Sequence, residues 1–254
     1  MAGLGIVTGG AQGIGAAIVS ALLDQGVVDR VAVFDLFPET MADQDERVSV
    51  HGCDVTDEES VRAAYGAVGE VPMVLVNNAG GGRLGEIRPA DGEGEAATEP
   101  PSAFDPFAPV DAFRDMVELN FTSAHVVTRV IGPDLQAGAA ICNTASIAGQ
   151  RPTALYSYGA AKAALIHWTM SMARALAPAH IRVNAVAPGI IRTRLWEAMQ
   201  PDEVSYDTMI KDIMPMSEDQ KPSDIANAVA FLCSDRASQI TGEVIRIDGG
   251  LTLR

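Results

Sequence analysis

The feature that most constrains the fold is a regular alternation of short apolar runs with longer amphipathic runs. The short runs are rich in Val and Ile and apolar on both faces: Leu4–Thr8, Arg30–Asp35, Val48–Cys53, Met73–Asn77, Ala139–Thr144, Ile181–Val186 and Val244–Ile247. The amphipathic runs between them are Gly13–Gln25, Glu58–Val68, Ala112–Ile131, Ser157–Ala177 and Ser223–Cys233. Strands that are apolar on both faces are typical of a parallel sheet covered by helices. The sequence therefore predicts the α/β class, as one doubly wound, Rossmann-type domain over residues 1–254 with a mostly parallel seven-stranded sheet.

Two segments interrupt this alternation. Residues 81–110 are rich in proline, glycine and acidic residues and show little periodicity, which predicts a long surface loop. Residues 189–221 mix methionine and aromatic residues with charged ones, and a connection of this length predicts a substrate lid. A pair of amphipathic helices packed on the core is the alternative for this second segment.

The charge balance excludes two classes of partner. Asp plus Glu number 33 against 18 Lys plus Arg, a formal net charge of −15. Nucleic acids and anionic membrane surfaces both recruit clustered Lys and Arg, so we expect neither as a partner. The sequence has no run of 18 consecutive apolar residues and no basic leader segment at its start. We therefore expect a cytoplasmic protein without a spanning helix.

The cysteines and histidines indicate no metal centre. The three cysteines form no CxxC pair, which predicts free thiols in a reducing compartment. The four histidines are scattered and form no HExxH set, so no bound metal is expected.

A glycine-rich turn follows the first predicted strand and opens the first helix. Gly9, Gly13 and Gly15 allow a tight turn and a close approach of a pyrophosphate to the amides at the helix start. The spacing is T-G-x-x-x-G-x-G, because Ile18 stands where G-x-G-x-x-G needs its third glycine. We infer a dinucleotide-binding turn.

Asp35 indicates which dinucleotide is bound. It ends the second predicted strand, 20 residues after Gly15, where a carboxylate can accept hydrogen bonds from both adenosine ribose hydroxyls. The same carboxylate would repel a 2′-phosphate, and the turn carries Gln12 in place of a basic residue. The sequence therefore predicts NAD as cofactor rather than NADP.

Tyr158 and Lys162 form a candidate acid/base pair. Four residues apart on a predicted helix, they lie on one face. A phenol has an unperturbed pKa of about 10, which a neighbouring ammonium lowers toward useful proton transfer. Ser146 follows the fifth predicted strand and could hold a substrate oxygen, with Thr144 as the alternative hydroxyl. Parallel strands bring these residues and the glycine-rich turn to one edge of the sheet.

Taken together, these motifs resemble the short-chain dehydrogenase/reductase family over almost the whole chain. The matching motifs are Thr8–Gly15, Asp54-Val55, Asn77-Asn78-Ala79-Gly80, Asn120, Ser146, Tyr158-x-x-x-Lys162, Pro188-Gly189 and Thr241-Gly242 with Asp248-Gly249-Gly250. Several motifs in family order make the resemblance specific for both fold and chemistry.

The resemblance implies a role for each matching residue. Tyr158 would be the general acid/base, Lys162 would bind the nicotinamide ribose and lower the Tyr158 pKa, Ser146 would hold the substrate oxygen, and Asn120 would anchor a water. The residues implied to contact the cofactor are Gly9, Gln12, Gly13, Ile14, Gly15, Asp35, Asp54, Val55, Asn77, Ala79, Gly80, Tyr158, Lys162, Pro188, Gly189, Ile191 and Thr193. The family also implies a homotetramer.

The substrate is predicted less directly. The apolar, methionine-bearing segment 189–221 favours a neutral secondary alcohol or ketone, hydrophobic or cyclic. One alternative is a 3-oxoacyl carrier-protein reductase, which would need a basic landing patch that the predicted helix ends lack. Another is a non-catalytic dinucleotide sensor on the same fold, which would not need the complete set of catalytic residues.

Overall fold

A seven-stranded, all-parallel sheet forms the centre of the molecule. The computed structural model describes residues 3–41, 45–81, 105–191 and 203–253. The strands are β1 (Leu4–Thr8), β2 (Arg30–Asp35), β3 (Val48–Gly52), β4 (Pro72–Asn77), β5 (Ala140–Thr144), β6 (Arg182–Pro188) and β7 (Val244–Ile247). They lie in the order β3-β2-β1-β4-β5-β6-β7. This arrangement confirms the predicted doubly wound α/β sheet.

Helices cover both faces of the sheet. They are α1 (Gly13–Asp24), α2 (Glu58–Val68), α3 (Val110–Val117), α4 (Ser123–Ile131), α5 (Tyr156–Leu176), α6 (Glu203–Ile213) and α7 (Pro222–Cys233). The predicted strand ends agree with these bounds to within two residues. The agreement follows from burial, because every residue of β1 and of β5 is buried and most of these residues are apolar or small.

Strand residues alternate between two hydrophobic cores. Val7 faces the core that α1 and α7 close, where Ile18 and Ile225 are fully buried. Ile6, its neighbour in β1, faces the opposite core, which α2, α4 and α5 close. Because successive side chains of a strand point to opposite faces, each strand contributes to both cores.

The long helix expected at 112–131 is interrupted. The chain forms α3, then one π-helical turn over Glu118–Thr122, and then α4. Single π turns inside helices are frequent at functional sites, and this one carries Asn120.

The two irregular segments are described only in part. Residues 82–104 and 192–202 lie outside the described residues, so most of the predicted loop and part of the predicted lid do too. After 202 the chain forms α6, whose Ile210 is buried, and Ile191 pairs with Gln220 in an isolated parallel bridge. The two ends of segment 189–221 are therefore held side by side.

Two further findings concern the described residues. None of the helices in the described ranges is both long and apolar enough to cross a membrane. Cys53, Cys142 and Cys233 are free and buried, and the described part of the chain holds no cluster of three metal-ligating side chains.

Candidate active site

The strand order reverses between β1 and β4, which makes this the switch point of the sheet. In open α/β sheets, ligands bind in the crevice that the reversal leaves at the carboxyl ends of the strands. The glycine-rich turn follows β1, the NNAG motif follows β4, and Ser146 follows β5. The fold thus brings three of the predicted motifs to one edge.

The glycine-rich turn is packed too closely for side chains at two positions. Gly9 has φ +61°, and a Cβ built on it would lie 2.9 Å from Ala79 Cα. A Cβ on Gly15 would overlap the Gly9 carbonyl oxygen. Both glycines are therefore required by close backbone approach.

The turn also meets a geometric requirement for a pyrophosphate. Helix α1 begins at Gly13, the Gln12 side chain makes no capping hydrogen bond, and no acidic residue lies in the first turn. The space where a Cβ of Gly13 would stand is open to 4 Å. A helix start whose amides have no side-chain cap, with open space beside Gly13, is a favourable site for an anion, so the residues present fit a dinucleotide.

Asp35 is bound to the turn that precedes it in sequence. Its Oδ2 accepts the amide hydrogen of Ala11 at 3.0 Å, and its Oδ1 accepts that of Phe37 at 3.0 Å. The residue is 7% exposed. The Gly9 amide also donates to the Phe34 carbonyl at 2.7 Å, so the end of β2 anchors the turn twice.

Asn78 connects the turn to β5, and sequence reasoning did not single it out. Its Nδ2 donates to the carbonyl oxygens of Thr8 at 3.2 Å and Gly9 at 3.0 Å, and its Oδ1 accepts from the Thr144 hydroxyl at 3.2 Å. Its backbone amide and that of Ala79 both donate to Thr8 Oγ1 at 3.0 Å. The only sequence signal was its place within the NNAG motif.

Asp54 and Val55 form a turn after β3. Asp54 Oδ1 accepts from the Thr56 amide at 2.9 Å and the Thr56 hydroxyl at 2.6 Å. Val55 is buried in the same core as Phe34. The Cys53 amide donates to the Asp35 carbonyl at 2.8 Å, which places this turn beside the end of β2.

Lys162 is buried with its ammonium hydrogen-bonded to backbone. Its Nζ donates to the Thr144 carbonyl at 2.8 Å, and the residue is 3% exposed. Burial penalises the charged form and lowers the pKa of Lys162 from 10.5 to about 8. The Nζ atom lies 5.6 Å from the centre of the Tyr158 ring.

Tyr158 is partly exposed and lies next to Ser146. Burial raises the pKa of Tyr158 above 10.0, and a hydrogen bond with Ser146 acts in the opposite direction. The expectation that Lys162 lowers this pKa is not met, because the burial penalty is larger than the opposing effect of the Ser146 hydrogen bond.

The structure separates the two candidate hydroxyls. Ser146 precedes a 3₁₀ turn at Ile147–Gly149, and its Oγ accepts the Ala148 amide hydrogen at 3.1 Å. The Thr144 hydroxyl donates its hydrogen to Asn78 Oδ1. Of the two, Ser146 is the residue that interacts with Tyr158.

Asn120 binds the end of the NNAG segment. Its Oδ1 accepts the Gly81 amide hydrogen at 2.9 Å, and its Nδ2 donates to the Gly81 carbonyl at 2.9 Å. A Cβ on Gly80 would lie 2.9 Å from Asn120 Oδ1 and 3.2 Å from Lys162 Nζ. Three predicted site residues therefore meet at one point.

The remaining predicted contacts are placed differently. The Asn77 side chain points into the core, where Nδ2 donates to Thr128 Oγ1 and Asn143 Oδ1. Pro188 ends β6, and the Gly189 amide donates to the Ile247 carbonyl at 2.8 Å. Ile191 is buried. Thr193 lies outside the described residues, and its predicted contact stays a prediction.

Comparison with known proteins agrees with this geometry. A family model described as "Enoyl-(Acyl carrier protein) reductase" matches residues 9–252. The 3alpha-hydroxysteroid dehydrogenase of Mediterraneibacter gnavus is 34% identical over 259 residues, covering 96% of this chain and 94% of that protein. The 7alpha-hydroxysteroid dehydrogenase of Escherichia coli K12 is 30% identical over 259 residues, covering 96% and 92%.

Solved structures give the same result. The Pseudomonas aeruginosa RhlG/NADP active-site complex has a TM-score of 0.80 at 28% identity, covering 98% of this chain and 95% of that one. A 7 alpha-hydroxysteroid dehydrogenase complexed with NADH and 7-oxo glycochenodeoxycholic acid has a TM-score of 0.79 at 28% identity, covering 97% and 93%. The chain belongs to the short-chain dehydrogenase/reductase family of oxidoreductases, whose members bind a nicotinamide dinucleotide.

Proposed function

We propose that this protein is an NAD-dependent oxidoreductase that interconverts a secondary alcohol and a ketone. The observation that carries the proposal is the meeting of Tyr158, Ser146 and Lys162 beside the glycine-rich turn, with Lys162 Nζ held 2.8 Å from the Thr144 carbonyl. The relatives named as hydroxysteroid dehydrogenases support an alcohol as substrate.

Asp35 supports NAD over NADP. Its carboxylate lies at the carboxyl end of β2, and each of its oxygens already accepts one backbone amide hydrogen. A carboxylate oxygen has two lone pairs, so each oxygen retains one for a ribose hydroxyl. A 2′-phosphate would meet a buried negative charge there.

The protein's own groups supply orientation and proton transfer. When bound, the nicotinamide would exchange a hydride with the substrate carbon. Ser146 donates a hydrogen bond to the substrate oxygen, and Tyr158 exchanges a proton with that oxygen. Lys162 holds its charge within 5.6 Å of the Tyr158 ring centre and favours the phenolate, which accepts the hydroxyl proton of the alcohol during oxidation. Asn120 anchors the segment that ends at Gly81 and, with it, a water that links Lys162 to solvent.

The substrate is proposed to be neutral and hydrophobic or cyclic. The described part of segment 189–221 is rich in apolar side chains, and Ile190, next to Gly189, packs against the buried pair Ile210 and Met214. The names of two relatives and the ligand of one structural neighbour are those of steroid-type molecules, and because that ligand is a carboxylic acid they support the cyclic and hydrophobic part of the proposal, not the neutral charge. A cyclic secondary alcohol is consistent with all of these.

The carrier-protein alternative has one observation in its favour, which is the description of the matching family model. A net charge of −15 disfavours an acidic carrier protein as partner. The last turns of α4 and α5 each carry one arginine, Arg129 and Arg174, and Arg129 is paired with Glu58 at 3.0 Å, so the two helix ends form no cluster of basic residues. From the likeness to the family, we also propose that the protein is cytoplasmic and forms a homotetramer. Size-exclusion chromatography with light scattering tests the oligomeric state.

The test is a panel of secondary alcohols, with cyclic and steroid members, assayed with NAD and with NADP by absorbance of the reduced cofactor. We expect turnover of neutral members with NAD and at least tenfold lower kcat/KM with NADP. A preference for NADP would contradict the cofactor assignment. Turnover of a carrier-bound 3-oxoacyl thioester alone would favour the reductase, and binding of NADH without any turnover would favour the sensor.

A further inference from the structure

A chain of side-chain hydrogen bonds crosses the core beneath the candidate active site. Asn77 of β4 and Asn143 of β5 are register partners, and Asn77 Nδ2 donates to Asn143 Oδ1 at 2.8 Å. Asn143 Nδ2 in turn donates to the hydroxyl of Thr169, on α5, at 2.9 Å. Asn143 and Thr169 are both 0% exposed. This series of hydrogen bonds therefore connects the sheet to the helix that carries Tyr158 and Lys162.

Helix α5 meets the end of β5 at two levels. Thr169 follows Lys162 by seven residues, about two turns, so both side chains lie on the same helix face. Lys162 Nζ is bonded to the carbonyl of Thr144, and Thr169 to the side chain of Asn143, its neighbour in the strand. A shift of α5 along β5 would change both contacts together.

The Thr169 hydroxyl acts both as a hydrogen-bond donor and as an acceptor. Its hydrogen is donated to the Leu165 carbonyl at 2.8 Å, so toward Asn143 it acts only as an acceptor. Apolar contacts between a helix and a sheet tolerate small sliding, whereas a hydrogen bond has a narrow range of distance and angle. A buried polar pair at this interface thus restrains the height of the helix in a way that apolar side chains of equal volume would not.

We propose that Thr169, acting through Asn143, is a positioning residue that sets the height of α5 against β5 and so holds Lys162 Nζ at the Thr144 carbonyl. This inference rests on the proposed role of Lys162 in the reaction. It gives Thr169 and Asn143, which are both buried in the core, a part in positioning Lys162.

The surroundings of Lys162 make its ionisation a sensitive reporter of its position. Tyr158, on the same helix, is the titratable side chain that faces it. The groups that approach Nζ from other elements are uncharged: Gly80 after β4, Asn120 on the π turn and the Thr144 carbonyl. Because burial is what lowers the pKa of Lys162 to about 8, displacement of Nζ toward water would raise it.

The kinetic experiment compares two variants that each remove one hydroxyl from the same chain of hydrogen bonds. Thr169→Val keeps the shape of the side chain and removes the acceptor on α5. Thr128→Val is the matched control, because Thr128 Oγ1 accepts from Asn77 Nδ2 at 3.1 Å but belongs to α4. We expect kcat to fall roughly tenfold in Thr169→Val, with a smaller change in KM for NAD, since small misplacements of catalytic groups reduce rate strongly.

Control and rescue define the outcome. Thr128→Val should keep kcat and its pH profile within twofold of wild type although its melting temperature falls, and Thr169→Ser, which restores a hydroxyl, should recover most of kcat. Equal kcat in Thr169→Val and Thr128→Val would overturn the proposal. If Thr169→Val does not fold, Thr169→Cys, whose thiol is a weak hydrogen-bonding group, replaces it.

A second readout is independent of substrate and cofactor. The chain has three lysines, Lys162, Lys211 and Lys221, so NMR of protein labelled with ¹³C at lysine Cε gives three assignable titrations. We expect Lys162 to titrate near pH 8 in wild type and in Thr128→Val, and closer to 10.5 in Thr169→Val. An unchanged Lys162 titration in Thr169→Val would overturn the positioning role. If wild type turned over no alcohol, the proposed function would fail while this measurement still decided the positioning claim.

Discussion

The Asp35 carboxylate accepts the amide hydrogen of Ala11 at 3.0 Å, so the residue predicted to select the dinucleotide also anchors the glycine-rich turn. A substitution at Asp35 therefore acts in two ways. It removes the predicted acceptor for the ribose hydroxyls, and it releases the backbone that the pyrophosphate is proposed to contact.

We predict that Asp35→Ala weakens NADH binding by more than tenfold without producing tight NADPH binding, because the turn is loosened for both cofactors. Hydrogen bonds to a charged acceptor contribute about 1.5–3 kcal/mol each. Titration of NADH and NADPH by fluorescence measures both affinities. Asp29→Ala is the control, since Asp29 precedes the opposite end of β2, where it accepts the Gly3 amide hydrogen. NADH affinity within twofold of wild type would contradict this account of Asp35.

Glycine substitutions test the close packing of the turn. Gly15→Ala should lower both the melting temperature and NADH affinity, because its Cβ would overlap the Gly9 carbonyl oxygen. Gly66→Ala, inside α2 with nothing within 4 Å of the added Cβ, should instead stabilise the protein by roughly 0.5–1 kcal/mol. Thermal melts and NADH titrations of the two variants give the comparison. A Gly15→Ala protein that melts and binds like wild type would be inconsistent with the described turn.

The buried Lys162 makes stability depend on pH with a defined sign. Its folded pKa of about 8 lies below the unfolded value near 10.5, so between these values the unfolded chain binds more protons. The Lys162 contribution to the free energy of unfolding therefore rises with pH across this window, by at most about 3 kcal/mol. Lys162→Met removes this term. We predict that the stability of Lys162→Met relative to wild type, from urea titrations, is greater at pH 7.5 than at pH 9.5.

A pH-independent stability difference between Lys162→Met and wild type would contradict the buried, hydrogen-bonded ammonium. Both test values, pH 7.5 and pH 9.5, lie below the pKa of Tyr158, which burial raises above 10.0. Lys211→Met is the control for loss of a lysine.

Ser146 and Thr144 are distinguished by their hydrogen bonds, and substitution tests the distinction. Ser146→Ala should reduce kcat by about a hundredfold or more, because the substrate oxygen loses its donor in the transition state. Thr144→Val removes only the bond to Asn78 at 3.2 Å and should reduce kcat less than tenfold. Steady-state kinetics with the best alcohol of the panel measures both. The reverse order of effects would assign the substrate contact to Thr144.

The fold was predictable from sequence because the central strands are buried on both faces and are therefore largely apolar, as in β1 and β5. The π turn at Asn120 was not predictable from sequence, since the apolar residues of Glu118–Thr122 continue the helical pattern of α3 and α4 without a visible break. Motif spacing placed Tyr158, Lys162 and Ser146 correctly at one edge of the sheet.

The roles of Asn78 and Thr169 were not predictable from local sequence. The Asn78 side chain is hydrogen-bonded to Thr144, 66 residues later in the sequence, and to Thr8, 70 residues earlier. Asn143 and Thr169 are 26 residues apart. Such contacts depend on the strand order rather than on any local pattern. The direction of the Tyr158 pKa was missed for the same reason, because burial of the phenol is a property of the packed structure.

The central claim is that Tyr158 transfers the proton during oxidation of an alcohol by NAD. The most direct measurement compares Tyr158→Phe with Tyr156→Phe, a tyrosine on the same helix that is 47% exposed. We predict that Tyr158→Phe loses at least a thousandfold in kcat while binding NADH within a few-fold of wild type, and that Tyr156→Phe keeps full activity. Substantial turnover by Tyr158→Phe, or loss of activity in Tyr156→Phe alone, would contradict the assignment.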